Sequence, residues 1–214
     1  MKRILISILP FTLVALAGSS SVDAAPPSFD CAKAEGAAQQ LVCKDDGLAS
    51  LDRELSRLYR LAVSGKHMTP ARLDELKATQ RGWIKGRDDC WKGKDLRQCV
   101  QDNYMIRIHE LRQGYADARG QDDKGISTGP LVLACEGFDS LIGFTLVGEQ
   151  KELVLIEWRN QTHLYVLTQE RAASGAKYSA DSVDGHVVLW NKGDEARLEL
   201  SGQAPLQCKV EQPG

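Results

Sequence analysis

The chain has 214 residues, of which 26% are charged, and a formal net charge of −2. That length fits one or two domains. Charge divides unevenly, with 18 Lys+Arg against 16 Asp+Glu over residues 25–129 and 7 against 12 over residues 130–214; the acidic C-terminal half disfavours nucleic acid and anionic membranes and suits a basic partner, although ordinary solubility charge reads the same way.

The N-terminus has the pattern of an export signal. Lys2 and Arg3 precede an apolar run from Ile4 to Ala17, and Val22-Asp23-Ala24 ends in the small residue that signal peptidase favours. Residues 1–24 are therefore expected to be removed, leaving a periplasmic or secreted chain. The run is too short for a membrane span, and no cysteine follows it to carry a lipid, so no membrane anchor is expected after cleavage. The six cysteines are Cys31, Cys43, Cys90, Cys99, Cys135 and Cys208. An even number in an exported chain argues for disulfides. No C-x-x-C pair occurs, and His67, His109, His163 and His186 are scattered as surface histidines would be, so neither a metal nor any other cofactor is expected.

Residues 25–118 read as a helical domain. Leu48, Leu51, Leu55, Leu58, Tyr59 and Ala62 follow the spacing of one buried helix face. Thr69-Pro70 pairs an N-cap with a proline suited to the first helical position. Leu73, Leu76, Gln80, Trp83 and Arg87 then run along a second helix. Asp95 caps a third, with Val100, Tyr104, Ile108 and Leu111 inward and Arg112 facing solvent. Three helices with two local disulfides make a small stapled bundle. Four cysteines here allow three pairings; closeness in sequence favours Cys31–Cys43 and Cys90–Cys99. Gln80, Trp83, Arg87 and Asp88 could form a binding face, or Trp83 could be core and Arg87 could hold a carboxylate.

As a set, Ser28-Phe29-Asp30-Cys31, Cys43, Leu51-Asp52-Arg53-Glu54-Leu55, Tyr59, Gln80-x-x-Trp83, Arg87-Asp88-x-Cys90, Cys99 and Tyr104 give this half a close likeness. It resembles the LprI-type N-terminal domain, a cysteine-containing helical module of bacterial envelope proteins. Residues 119–129 follow as a polar, glycine-containing linker with too little apolar content to pack.

From Pro130 the period changes to that of strands. Leu131 to Cys135, Leu141 to Val147, Leu153 to Trp158 and Leu164 to Leu167 are short apolar runs, with a turn at Arg159-Asn160-Gln161. Asp184-Gly185 is a turn pair before a strand from His186 to Trp190. Ala196 to Leu200 alternates apolar and charged residues, as on a sheet with one wet face. Many short strands in residues 130–214 predict a small antiparallel β-barrel or sandwich, so the fold class is a two-domain α+β chain. Cys135 in the first strand and Cys208 beside the last would tie the ends of this domain together.

Two motifs stand out: Ala173-Ser174-Gly175-Ala176-Lys177-Tyr178, and Trp190-x-Lys192-Gly193-Asp194-Glu195-Ala196. Lying between the paired cysteines, they resemble the signature motifs of the MliC/PliC family of periplasmic inhibitors of c-type lysozyme. The resemblance implies a β-barrel with an end-to-end Cys135–Cys208 bridge and c-type lysozyme as its partner. It further implies that Ser174 and Lys192 meet the two catalytic carboxylates of that enzyme on neighbouring loops. Gly175 would keep the loop tip slim, Tyr178 and Trp190 would buttress it, and Gly193-Asp194 would turn the second loop. Ser179 to Gly185 reads as a loop about four residues longer than is usual in that family, which lengthening by closure entropy tolerates; it could shift Ser174 relative to Lys192. Residues 130–214 are expected to inhibit alone.

An enzyme is not expected. No Gly-x-Ser-x-Gly elbow, His-Glu-x-x-His helix or phosphate loop is present, and Ser174 has no identifiable base, leaving only a Ser-Lys hydrolase using Lys192 as a weak catalytic alternative. The other alternative is a non-catalytic envelope module that binds peptidoglycan or another lytic enzyme.

Overall fold

A computed structural model describes residues 25–119, 124–158 and 163–211. The expected export signal, residues 1–24, and the turn expected at Arg159-Asn160-Gln161 lie outside the described residues.

The helical half holds α1 (Gly36–Val42), α2 (Asp46–Ser64), α3 (Pro70–Asp88) and α4 (Leu96–Gly114). Each of the three long helices starts where an N-cap side chain accepts an otherwise orphaned N–H: Asp45 from Leu48, Thr69 from Arg72 and Asp95 from Gln98. The expected faces are buried, with Leu48, Leu51, Leu55, Leu58 and Ala62 of α2 packed against Val100, Tyr104, Ile108 and Leu111 of α4. α1 was not expected, because a seven-residue helix is too short to display a period. Cys31–Cys43 and Cys90–Cys99 are the bridged pairs of this half, and both are local.

Eight strands close the C-terminal half into an antiparallel barrel in chain order: β1 (Ser127–Cys135), β2 (Ile142–Val147), β3 (Leu153–Trp158), β4 (Leu164–Glu170), β5 (Ala176–Ser182), β6 (Gly185–Lys192), β7 (Glu195–Leu200) and β8 (Leu206–Glu211). Leu133, Ile142, Phe144, Val154, Ile156, Leu167, Tyr178, Leu189 and Leu198 fill the interior. Closure comes from β1 on β8, where Cys135 faces Cys208 in register and is bridged to it. Full closure leaves no sheet edge to template aggregation.

Four expectations are corrected. The segment read as a linker ends in structure: β1 begins at Ser127, which is only 7% exposed, and Ile126 packs on the helical core. Arg112, expected to face solvent, is wholly buried; its Nε donates to the Gly129 carbonyl at 2.6 Å and its Nη1 to Ser127 Oγ at 3.2 Å. His109 is not a surface histidine but is 1% exposed, between Thr145 Oγ1 at 2.7 Å and Glu157 Oε2 at 3.2 Å. Finally, residues 179–185 are not a loop. β5 and β6 pair from Ala176↔Asn191 to Ser182↔Gly185, so the turn is Val183-Asp184 and Gly185 already belongs to β6.

One cause lies behind the first three. α4 packs across the outside of the barrel, and Val147 and Leu155 on that outer surface join the helical core rather than the barrel's own. The contact is lined with satisfied polar groups. Glu54 of α2 pairs with Arg57 at 2.8 Å and accepts from the Ile126 N–H and the Ser127 hydroxyl. These bonds hold its carboxyl below the ordinary range, although burial pushes the other way.

Candidate functional site

The rim of the barrel nearest the start of β1 carries three turns: residues 148–152 between β2 and β3, residues 171–175 between β4 and β5, and Gly193-Asp194 between β6 and β7. Ser174 lies in the second and Lys192 beside the third. The ladder explains why they meet. Ala176 pairs with Asn191 and Lys177 with Trp190, so the residues just before β5 lie against the last residues of β6.

Gly175 makes the contact close. It sits at φ +69°, and a Cβ there would fall 2.5 Å from the Asn191 carbonyl oxygen and 3.3 Å from Lys192 Cβ. Only glycine permits both the left-handed backbone and that approach. Trp190 fastens the other side, its indole Nε1 donating to the Ser174 carbonyl at 2.9 Å. The ring itself is 38% exposed. Gly193, at φ +65°, is the first of the two turn residues between the paired Lys192 and Glu195; a two-residue hairpin favours glycine there. Asn191 Nδ2 closes the turn with bonds to the Gly193 and Glu195 carbonyls at 3.1 and 3.3 Å.

Tyr178 is the pillar beneath. It is 2% exposed, and its hydroxyl donates to the Lys151 carbonyl at 2.9 Å. Burial raises the phenol's pKa, which keeps it a donor. Lys151 sits at φ +62°, and its Nζ donates to the Ile126 carbonyl at 3.2 Å. No signal in the sequence marked Lys151. Through it the loop bearing Ser174 is tied by hydrogen bonds to the segment that enters the barrel from the helical half. Asn191 was also unmarked, although a polar residue two before a hairpin glycine is a familiar turn-closing position.

The structure thus brings Ser174, Gly175, Tyr178, Trp190, Lys192 and Gly193 together on one rim. Ser174 and Lys192 are exposed. Among the described residues, neither the Ser174 hydroxyl nor the Lys192 ammonium has an intramolecular partner, whereas Lys177 nearby is spent on Glu170 at 2.8 Å. The rim therefore offers one hydroxyl and one cation outward. The Val183-Asp184 turn lies at the opposite end of the barrel, so the β5–β6 hairpin does not come between Ser174 and Lys192.

Elsewhere, Gln80, Trp83, Arg87 and Asp88 serve the helical core in part. Trp83 packs edge-on to Tyr104 at 5.2 Å and donates to the Asn103 carbonyl. Arg87, 5% exposed, binds Asp88 at 2.7 Å and the Tyr104 hydroxyl at 3.1 Å. Among the described residues no group of His, Cys, Asp and Glu is arranged to hold a metal ion, and no helix is long and apolar enough to cross a membrane.

A closed, disulfide-tied barrel with two polar loops on one rim sits beside a stapled helical module, and the comparisons place both parts in lysozyme-inhibitor families. Residues 31–113 match the family model described as lysozyme inhibitor LprI, and residues 134–207 match that of the membrane-bound lysozyme-inhibitor of c-type lysozyme. The proteins named Lipoprotein LprI from Mycobacterium bovis and Mycobacterium tuberculosis are 30% identical to this chain over 186 residues, covering 86% of it and 84% of each relative. The chain belongs to the LprI family. No solved structure matches it.

Proposed function

We propose that this protein is a non-catalytic, exported inhibitor of c-type lysozyme, periplasmic or secreted, which inserts the loops carrying Ser174 and Lys192 into the catalytic cleft. The observation that carries the reading is the pairing of two unengaged donors on rigid, touching loops. A glycosidase of this kind works with two carboxyl groups, one protonated and one ionised. A serine hydroxyl can donate to one and accept from the other's proton, and an ammonium can pair with the ionised one. Because Gly175, Trp190 and Tyr178 hold the loops in place before binding, little conformational entropy is lost on insertion. The acidic barrel half would also speed encounter with a basic enzyme.

A lysis assay of cell-wall substrate by c-type lysozyme, titrated with the protein, tests this directly. Stoichiometric loss of lysis is expected. Undiminished lysis at saturating protein would remove the reading, and hydrolysis of the substrate by the protein alone would replace it with an enzymatic one.

A further inference from the structure

The helical half carries a groove that the barrel loops do not use. α2 and α3 both pack on α4, and between them opens a cavity of about 640 Å³ whose walls include Leu55, Tyr59, Lys77, Gln80, Arg81 and Ile84. α3 is an unusually bare helix, burying only Leu76 and Arg87 among its 19 residues. Lys77, Gln80, Arg81 and Ile84 are spaced by three and four, so they form one strip along its groove face. Lys77 and Arg81 are exposed, and Ile84 is 40% exposed.

Most polar groups of this groove are committed, Lys33 pairing with Asp30 at 3.8 Å, and the ionic side chains left unpaired are cations. Asp52 accepts from the Tyr104 hydroxyl and the Ser28 N–H. Asp30 caps the Ala32 N–H, and Ser56 accepts from Arg60. Gln80 Oε1 accepts from Arg107 Nε at 3.0 Å, which leaves the Gln80 amide N–H groups free to donate. Among the described residues, Lys77 and Arg81 have no ion pair. Beside two unpaired cations, Lys77 and Arg81, the ligand group that fits is a carboxylate.

The apolar part narrows the class further. A sugar needs an open aromatic face on which to stack, but the Trp83 ring is covered by the Arg87 guanidinium at 5.1 Å and met by Tyr104. The most exposed apolar side chain of the groove is aliphatic Ile84, while Phe29 and Tyr59 are half-buried and Leu55 is buried. We propose that this groove docks an acidic, amphipathic peptide segment of a partner protein, with carboxylates on Lys77 and Arg81 and an apolar side chain beside Ile84. That is an anchoring of the helix-in-groove kind. Its charge preference is opposite to that of the acidic barrel, so the site serves a partner other than a basic lysozyme.

The probe is a set of fluorescein-labelled amphipathic Glu/Leu peptides, with Gln/Leu versions as neutral controls, titrated into the purified protein. Expected is saturable binding of Glu/Leu peptides that weakens as salt rises, with the Gln/Leu versions at least tenfold weaker. Lys77→Glu with Arg81→Glu should abolish binding, and Ile84→Asp should weaken it about tenfold to a hundredfold, the range set by one buried aliphatic side chain. All three are exposed positions, so circular dichroism and lysozyme inhibition should match the parent. Absence of binding by every Glu/Leu peptide, equal binding by the neutral set or by the variants, or displacement by purified muropeptides in place of peptide competition would each overturn the proposal.

Discussion

A side chain already bonded within its own protein has little left to offer a partner. Ser179 is such a case, its hydroxyl held by Glu170, and Lys177 is spent on the same carboxylate. Ser174 and Lys192, close by on the same rim, make no such bond. Truncating either to Ala therefore removes nothing from the fold, and thermal unfolding should stay at the parent temperature. In a complex with lysozyme each truncation would leave a desolvated carboxyl unpartnered, costing about 2–4 kcal/mol. That corresponds to inhibition constants roughly thirtyfold to a thousandfold weaker. Lys192→Ala should also flatten the salt dependence of association. Lys85, exposed on α3, is the proper control; Arg112 is not, since it is buried between the halves. Parent-like inhibition by both Ala variants would sink the insertion mechanism, whatever the lysis assay shows.

At the scale of the element, the support is as testable as the tip. Tyr178→Phe keeps the barrel packing and deletes only the bond to the Lys151 carbonyl. About 1 kcal/mol of stability should go with it. If the pillar positions the loop, inhibition should weaken several-fold through faster dissociation, while a purely structural role would lower the unfolding temperature alone. What the sequence made legible follows the strength of local pattern. α2, α3 and α4 were readable because their apolar stripes and, for α3 and α4, the caps Thr69 and Asp95 agree on their limits. β5 was not, because Ala-Lys-Tyr-Ser-Ala-Asp-Ser holds a single large apolar residue, Tyr178, and its partners across the ladder supply the rest. β8 was hidden in the same way by Gln207, Lys209 and Glu211 on its wet face. Leu153-Val154-Leu155-Ile156 is apolar without alternation, the mark of a strand covered on both faces, and Leu155 is indeed buried under the helices. The site residues were legible as a likeness of motifs; their closeness in space was not, since it depends on the β5–β6 register that the sequence left unread.

At the scale of the molecule, the two halves are one mechanical body. Cutting at residue 130 would remove Ser127 to Gly129 from β1, bare Val147 and Leu155, and strip Thr145 and Glu157 of His109. The fragment 130–214 is therefore expected to be far less stable than the intact chain. Arg112→Met tests the same point without a cut. It leaves the Gly129 carbonyl and the Ser127 hydroxyl short of a buried donor, costing on the order of 3 kcal/mol in denaturant unfolding.

The contact should also carry an acid signature, and the two carboxyl groups beside it act in opposite senses. Glu54 is held below its ordinary value of 4.5, despite burial, by Arg57, Ser127 and the Ile126 N–H. Its contribution is complete above that value and is lost as pH falls through its lower folded value. Asp102, on α4 in the cleft facing β4 and β5, is pushed up to about 6 by burial, against a bond from Gln98. A raised carboxyl favours the folded state while protonated, so its contribution is present below 3.8 and is lost as pH rises through about 6. Denaturant midpoints measured from pH 3 to pH 8 should resolve the two. Asp102→Asn should remove the decline between about pH 4 and pH 6 and raise the midpoint at neutral pH. Glu54→Gln should lower the midpoint at neutral pH and abolish the loss at the acid end. A parent-like acid limb in the Glu54→Gln variant would mean that the acid sensitivity of the molecule lies elsewhere than in the joint between its halves.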